Sequence, residues 1–295
     1  MYVEQFSDYL RFERNYSEKT VSAYCRDLEL FSAFLKNLDQ ELDLLSADRD
    51  TVRLWVVDLM DNGAATTTVN RKLSTLRSFY RYLRIRGIVT VSPVQGIKGP
   101  KNSKPLPQFV KESEMDNILD VSTDGMDFVQ VRDITVIDTF YETGMRMAEL
   151  IGLDDSDIDF SAKTIKVTGK RDKQRIIPFS DTLAARLNSY IDVRNSTFQQ
   201  TCGAFFLSPK GCRIPRHQVY LLVRKALADS SVSKKSPHVL RHTFATSMLN
   251  HDAELGAIRE LLGHDSIETT SVYVHTTFKE LREIYKHAHP RAEEN

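Results

Sequence analysis

The sequence PHVLRHTFAT occupies positions 237–246, within a segment for which we predict a helix over residues 237–250. It places His238 and His242 four residues apart. That spacing puts two side chains on one face of a helix, where they could hold a metal ion. However, the intervening Arg241 would repel a cation, and the glutamate of the metalloprotease motif is absent. We therefore expect no metal site, and keep as an alternative a metalloenzyme that a chelator would inactivate.

Around this segment, apolar residues at helical spacing predict a mainly helical second domain with a small β-hairpin. Further helices are predicted at 111–121, 127–142, 146–150, 181–191, 215–228, 254–261 and 277–287. Short strands are predicted at 158–160, 164–167 and 174–178, and the last two should form the hairpin. The sequence therefore predicts a mainly α fold with one small sheet.

Residues 1–92 are predicted to form a small bundle of helices. The expected helices are 3–14, one from Ser17 as its N-cap to Lys36, one that Asp50 caps and that ends before Asn62, and 66–86. The last of these has an apolar stripe that should be buried, formed by Val69, Leu73, Leu76, Phe79, Tyr80 and Leu83. Residues 93–109 contain prolines, glycines and lysines, and are predicted to form an extended basic linker to the second domain, 110–295.

A chain of 295 residues, 41% of them hydrophobic, suits two domains that each have a core. No apolar run approaches the roughly 20 residues that cross a bilayer. The N-terminal sequence also lacks the basic and apolar regions of a secretory signal. Cys25, Cys202 and Cys212 are too few and too scattered for a disulfide framework or a thiolate zinc site. We therefore expect a cytoplasmic protein with reduced thiols and no membrane partner.

The charge is distributed unevenly, although the net charge is zero and DNA-binding proteins usually have a basic excess. Residues 1–61 hold 7 basic and 13 acidic residues, whereas residues 62–104 hold nine basic residues and no acidic one. Residues 202–250 hold eight basic residues and one acidic residue. Such stretches predict a basic face for an anionic polymer, the alternative being solvated helix faces without a partner. The residues predicted to contact DNA are Arg71, Lys72, Arg77, Arg81, Arg84, Lys101, Lys104, Arg213 and Arg216.

Further segments of the second domain carry residues suited to chemistry on a phosphate. These segments contribute Arg146, Glu149, Lys170, His264 and Tyr273. Each has an ordinary explanation when taken alone, such as a helix-surface ion pair, an exposed turn lysine, a helix C-cap or a core tyrosine. Together with His238 and Arg241, they form the set of side chains that a phosphodiester site needs.

The chemistry of this set is phosphoryl transfer without a metal. Arginine presents paired N–H donors that match two phosphate oxygens, and fixed donors aimed at developing charge often dominate catalysis. A tyrosine hydroxyl can attack phosphorus and form a covalent ester. Its ordinary pKa of about 10 means that it needs nearby positive charge or a base. Because side chains supply the cations, we expect no cofactor.

These segments resemble the tyrosine recombinases, or phage integrase family, and most of all their Xer-type branch. The resemblance rests on HVLRHTFAT, on LLGH with Tyr273 nine residues beyond its histidine, and on the spacing from Arg146 to Lys170. It covers the whole chain: a helical N-terminal domain, a linker and a catalytic domain, in that order. It implies a SAM-like core-binding domain followed by a mainly helical catalytic domain.

The resemblance implies roles for the residues around the phosphate. Arg146 and Arg241 would clamp the scissile phosphate, and His264 would hydrogen-bond to it. Glu149 would orient Arg146 rather than touch DNA. His242 would support the site from behind or pack against it.

It also implies roles in bond making and proton transfer. Tyr273 would form a 3′-phosphotyrosyl bond, and His238 would assist proton transfer at the tyrosine. Lys170 would donate a proton to the departing 5′ oxygen. Lys170 is followed here by Arg-Asp, where the family hairpin often has glycine, so Lys173 stays open as the general acid.

The resemblance further implies a partner and an assembly. The two domains would close around double-stranded DNA at a specific site and exchange strands without ATP. The C-terminal helix would dock on a neighbouring protomer, giving a cyclic tetramer on two duplexes; the alternative is a helix packed on its own domain. A second recombinase is a further candidate partner. Two other functions stay open: a type IB topoisomerase, which shares this chemistry, and a non-catalytic DNA-binding regulator.

Overall fold

The computed structural model describes residues 1–102, 108–169, 173–199, 203–263 and 278–292. The chain forms two compact units, Met1–Pro105 and Leu106–Asn295. The prediction of a mainly helical fold with one small sheet is confirmed. Within the described ranges, no helix is both long enough and apolar enough to span a bilayer.

The first unit is a bundle of helices, as predicted. It contains α1 (Tyr2–Asp8), which a π-helix (Tyr9–Glu13) continues, α2 (Glu18–Leu38), α3 (Arg49–Asp61) and α4 (Thr66–Ile85). Ser17 caps α2 by accepting a hydrogen bond from the Thr20 amide, as predicted. The prediction that Asp50 caps α3 was wrong. Asp48 caps it instead: its carboxylate accepts a hydrogen bond from the Thr51 amide, and its own amide donates one to Thr51 Oγ1, which completes a capping box.

The buried face of α4 lies at the centre of this unit. All six apolar residues predicted there are at most 1% exposed. Five of them share a core with Phe31 of α2 and Trp55 of α3. The segment after residue 92 differs from the extended linker that we expected, because Val94 and Ile97 are buried in the same core and Asn70 donates a hydrogen bond to the Pro100 carbonyl. The first unit therefore extends beyond its predicted boundary.

The second unit contains most of the predicted elements within a few residues. Its helices are α5 (Glu112–Leu119), α6 (Phe128–Thr143), α7 (Met147–Gly152), α8 (Asp181–Thr197), α9 (Arg216–Ala226), α10 (Pro237–Asn250), α11 (Leu255–Leu262) and α12 (Phe278–Ala288). Its strands are β1 (Ile158–Asp159), β2 (Thr164–Thr168) and β3 (Gln174–Pro178), which form an antiparallel sheet in the order β1-β2-β3. The Gly169 amide donates a 2.8 Å hydrogen bond to the Lys173 carbonyl, which fixes both ends of the β2–β3 turn.

Helix α6 is the central element of this unit. Every residue from 135 to 145 is buried, and α8 and α10 pack on the helix. A helix that is buried all round needs a sharp exit, which Gly144 provides with a left-handed φ of 58°. A Cβ at Gly144 would lie 2.5 Å from the Phe244 ring, so only glycine fits without a shift. This exit directs the chain into α7, where the candidate site begins.

Helix α12 packs on its own unit in this single chain. Its residues Leu281 and Tyr285 are 5% and 1% exposed, and they share a core with Phe244 of α10 and Ile258 of α11. The Tyr285 hydroxyl also donates a 2.9 Å hydrogen bond to Glu142 of α6. Leu281 and Tyr285 of α12 are therefore covered, within one chain, by α10 and α11.

Candidate active site

Arg146 immediately precedes α7, and Glu149 in the first turn of that helix holds it. Glu149 Oε2 accepts a 2.6 Å hydrogen bond from the Arg146 amide, and Oε1 accepts a 2.8 Å bond from Arg146 Nη1. The carboxylate is buried, whereas about a third of the Arg146 side chain is exposed. The predicted contact between these two residues is present, and it fixes the start of α7 and the arginine together.

Arg241 projects from α10 towards the same place. It is 8% exposed, and its Nη1 donates a 2.8 Å hydrogen bond to the carbonyl of Gly144. Its Nη2 donates a 2.6 Å bond to the carbonyl of Leu262. Burial and the neighbouring Arg146 guanidinium lower the pKa of Arg241 to about 10. The side chain is therefore still cationic at neutral pH.

Arg175 of β3 completes the cluster, and the sequence analysis did not single it out. Its Nη1 and Nη2 donate bonds of 2.8 and 2.9 Å to the two oxygens of Glu149, and its Nε donates a 2.7 Å bond to the Leu261 carbonyl. Strand alternation would have been a signal, because Arg175 shares a strand face with the buried Ile177. A charged residue on an inward strand face implies a buried partner.

The three arginines bind three consecutive carbonyls at the end of α11. Arg175 binds the Leu261 oxygen, Arg241 binds the Leu262 oxygen, and Arg146 Nη2 binds the Gly263 oxygen at 2.8 Å. The last carbonyls of a helix have no partner within the helix and carry partial negative charge, so cations stabilise them. The cluster thereby fixes the point from which the chain continues to residue 264.

The electrostatics of the cluster favour an ionised Glu149. Burial alone would raise the pKa of this carboxyl. Hydrogen bonds from the Arg175 guanidinium and the Arg146 amide outweigh that effect, and the net result is a pKa below the ordinary value. One carboxylate therefore lies among three guanidinium groups, which leaves the cluster with excess positive charge.

Arg146 and Arg241 line a cleft of about 720 Å³ between α7, α9 and α10. His238 lines the same cleft, as does Arg216 from the start of α9. Burial and the neighbouring Arg241 guanidinium lower the pKa of His238, so its ring is neutral at neutral pH. The structure thus brings together four of the residues predicted from the sequence on one concave surface.

His242 lies outside this arrangement. It follows His238 by one turn of α10, but its side chain is exposed and is not among the residues that line the cleft. Its link to the site is electrostatic, since a charge on His242 disfavours a charge on His238. The exposed position does not fit packing, and the other role that the resemblance implies for His242, support of the site, stays a prediction.

The basic residues predicted to bind DNA fall into two groups in the first unit. Arg77, Arg81 and Arg84 are exposed on α4, as is Lys101 after the helix. Arg71 is also exposed but pairs with Asp27. Lys72 is different, because its side chain is 8% exposed, its ammonium lies 3.0 Å from Asp27, and it faces the Trp55 ring. Its pairing in the core does not fit the DNA contact that we predicted for Lys72.

Arg213 also has a mainly structural environment. Its Nη1 donates hydrogen bonds to the carbonyls of Ile151 and Leu153, and its Nη2 pairs with Asp154. It therefore fastens the end of α7, and a phosphate would have to compete with these partners. Lys104, Lys170, His264 and Tyr273 lie outside the described residues.

Comparison with protein families gives two matches in chain order. Residues 3–87 match the phage integrase N-terminal SAM-like domain, and residues 108–280 match the phage integrase family. The second match includes all the residues described above for the cleft. Both agree with the order of domains that the sequence suggested.

Individual relatives agree with these matches. The chain is 37% identical over 295 residues to the tyrosine recombinase XerC of Pediococcus pentosaceus, covering 98% of both chains. It is 33% identical over 294 residues to the tyrosine recombinase XerD of Oceanobacillus iheyensis, again covering 98% of both.

Two solved structures share the fold. The Tn1549 transposon integrase in complex with transposon right end DNA has a TM-score of 0.70 at 19% identity, over 96% of this chain and 97% of that one. The XerH site-specific recombinase bound to difH substrate has a TM-score of 0.68 at 21% identity, over 95% and 83%. At these identities the similarity is one of fold.

Proposed function

Because the chain belongs to the phage integrase family of tyrosine recombinases, we propose that it cuts and rejoins DNA at a specific site through a 3′-phosphotyrosyl intermediate. The observation that carries this proposal is the cleft in which Arg146, Arg241 and His238 meet. Two guanidinium groups offer paired donors for the non-bridging oxygens of a phosphodiester. They are fixed before substrate arrives, so they can stabilise the charge that develops in the transition state.

Tyr273 is the proposed nucleophile. Its hydroxyl oxygen attacks the phosphorus, and the bond from phosphorus to the 5′ oxygen breaks. His238, which is neutral at neutral pH, can accept the tyrosine proton. Lys170 is the proposed donor of a proton to the departing 5′ oxygen, and Lys173 is the alternative at the other end of the same turn. Attack by a 5′ hydroxyl reverses the sequence and releases the tyrosine, so no ATP is consumed.

His264 is proposed to hydrogen-bond the same phosphate. Support comes from the described residues on its N-terminal side, since three arginines hold the carbonyls of residues 261–263. The chain therefore leaves α11 from within the cationic cluster. We propose that His264, the next residue, donates a hydrogen bond to an anion bound there.

DNA is the proposed partner, and the exposed arginines of α4 are the proposed backbone contacts in the first unit. We also propose that α12 is exchanged between protomers in a cyclic tetramer on two duplexes. In the single chain, α12 covers an apolar surface of α10 and α11. The same surface could receive α12 of a neighbour without new chemistry, which is the low-cost route of domain swapping.

The test is to trap the covalent intermediate on a nicked duplex that carries the target site. The wild-type chain should form a protein–DNA adduct that survives denaturant, whereas Tyr273→Phe should bind the duplex with unchanged affinity and form none. An adduct in the Phe variant would overturn the assignment of the nucleophile. Relaxation of supercoiled plasmid without a target site would instead favour a topoisomerase.

A further inference from the structure

Arg175 makes three short hydrogen bonds but is not among the residues that line the cleft. Its side chain is 14% exposed, whereas that of Arg146 is 34% exposed. Arg146 thus presents part of its guanidinium to the cleft, and Arg175 lies behind Glu149. Arg175 therefore makes no contact in the cleft, and its hydrogen bonds affect a bound phosphate through the groups that it holds.

The first of these groups is the Glu149 carboxylate. Its Oε1 accepts hydrogen bonds of 2.8 Å from both Arg146 Nη1 and Arg175 Nη1. A carboxylate paired with Arg146 alone would neutralise the cation that the phosphate needs. Because Arg175 binds both oxygens of Glu149, the carboxylate is already compensated, and Arg146 retains charge for a ligand.

The second group is the end of α11. Arg175 Nε binds the Leu261 carbonyl, and its guanidinium packs against Gly263, where an added Cβ would lie 3.1 Å from Nη1. Gly263 has a left-handed φ of 65°, which turns the chain out of the helix towards residue 264. Arg175 thus packs against the turn that begins the path to His264.

We propose that Arg175 is a positioning residue for the phosphate site. It offsets the negative charge of Glu149, so that the positive charge of Arg146 remains available to a phosphate, and it holds the end of α11 that leads to His264. This inference rests on the proposed function. Strand β3 would then contribute Arg175 to the phosphate site, in addition to the proton donor, Lys170 or Lys173, that we propose in the preceding turn.

The test is a double-mutant cycle of Arg175→Gln and Glu149→Gln, measured by single-turnover adduct formation on the nicked duplex. Arg175→Gln leaves Glu149 to pair with Arg146 alone, so adduct formation should slow roughly tenfold to a hundredfold. Removing the carboxylate as well should eliminate the negative charge that offsets the Arg146 guanidinium. The double variant should therefore react several times faster than Arg175→Gln alone. A purely structural role predicts the opposite, because both substitutions remove anchors and their losses would add.

Arg194→Gln is the matched control. Arg194 is 4% exposed, pairs with both oxygens of Asp155 and donates to the Phe205 carbonyl, so it has the same type of contacts away from the cleft. It should leave adduct formation by the folded protein within about twofold of wild type. An equal loss in this control, or a double variant no faster than Arg175→Gln, would overturn the proposal.

A second measurement keeps this test separate from that of the proposed function. The stabilisation of each variant by inorganic phosphate reports on the charge at the arginine cluster without any strand cleavage. It should be weaker in Arg175→Gln and restored in the double variant. If the wild type formed no adduct, the proposed function would fail, and the phosphate result alone would support or overturn the role of Arg175.

Discussion

Two clusters of this molecule each place one buried carboxylate between two cationic side chains, with different results. In the first unit, Asp27 accepts hydrogen bonds from Arg71, Lys72 and Thr75. In the second unit, Glu149 accepts them from Arg146 and Arg175. In the Asp27 cluster, Lys72 is enclosed between the carboxylate and the Trp55 ring. In the Glu149 cluster, Arg146 has a partly exposed guanidinium on a cleft.

The difference lies in the hydrogen-bond donors that each basic residue has left for a ligand. The ammonium of Lys72, on α4, pairs with Asp27 of α2 and faces the Trp55 ring of α3, so it links three helices in the core. The guanidinium of Arg146 has five N–H donors, and two protein partners do not occupy all of them. Substitutions in the two clusters should therefore separate loss of stability from loss of chemistry.

The largest effect is expected for Arg146→Gln. Loss of one fixed cationic donor to the phosphate should slow adduct formation by roughly 100- to 1,000-fold. Because Arg175 still binds both oxygens of the buried Glu149, the melting temperature should change little. Single-turnover trapping and thermal unfolding check the two parts. A large drop in stability with near-normal cleavage would show that this cluster is structural, as the Asp27 cluster is.

Lys72→Met is expected to have the reverse profile. It keeps the length of the side chain but leaves the buried Asp27 with Arg71 and Thr75 as its remaining polar partners. The free energy of unfolding should fall by about 2 kcal/mol, because the buried Asp27 then keeps as its cationic partner only Arg71, whose side chain is about half exposed. Denaturant unfolding measures this loss. Adduct formation by the folded fraction should match wild type, and a loss of DNA affinity would restore Lys72 to the DNA-contacting set.

A third buried carboxylate, Glu142, extends the comparison to a group whose hydrogen-bond partners are hydroxyls and an amide. Ser180 and Tyr285 donate to it, and burial followed by the charge of Asp138 raises its pKa to about 8. Because the folded protein favours the protonated form of Glu142, this group contributes its full stabilisation below the ordinary pKa of 4.5. The contribution declines as the pH rises above 4.5 and is lost once the pH passes about 8.

Glu142→Gln should remove this pH dependence, because the amide stays neutral and can still reach Ser180 and Tyr285. The melting temperature of the variant should exceed that of wild type at pH 8.5 and approach it at pH 5. Thermal unfolding across this range measures the difference. Parallel profiles for both proteins would show that Glu142 does not titrate there.

The sequence predicted the helices, the hairpin and four of the residues lining the cleft because each depends on local spacing or on a recognisable motif. The apolar stripe of α4 and the cap at Ser17 are of this kind. Arg175 was not singled out, and the burial of Lys72 was not foreseen, because their partners, Glu149 and Asp27, lie 26 and 45 residues away in the chain. Composition identified a basic stretch but could not indicate which of its charges the fold would enclose. The same limit applies to Arg213, whose partners are backbone carbonyls.

The smallest effect is expected for Arg81→Ala on the exposed face of α4. If its guanidinium contacts a DNA phosphate, its removal should weaken binding only severalfold and lower the slope of log affinity against log salt by about 0.9. Arg53→Ala removes the same charge from α3, where the arginine is exposed and paired with Asp50, and serves as the control. Titrations of duplex DNA at several salt concentrations measure both slopes. Equal slopes for Arg81→Ala and Arg53→Ala would mean that Arg81 does not contact the DNA backbone. Arg81 would then be a solvated charge on the surface of α4, in contrast to the role proposed for the arginines of the cleft.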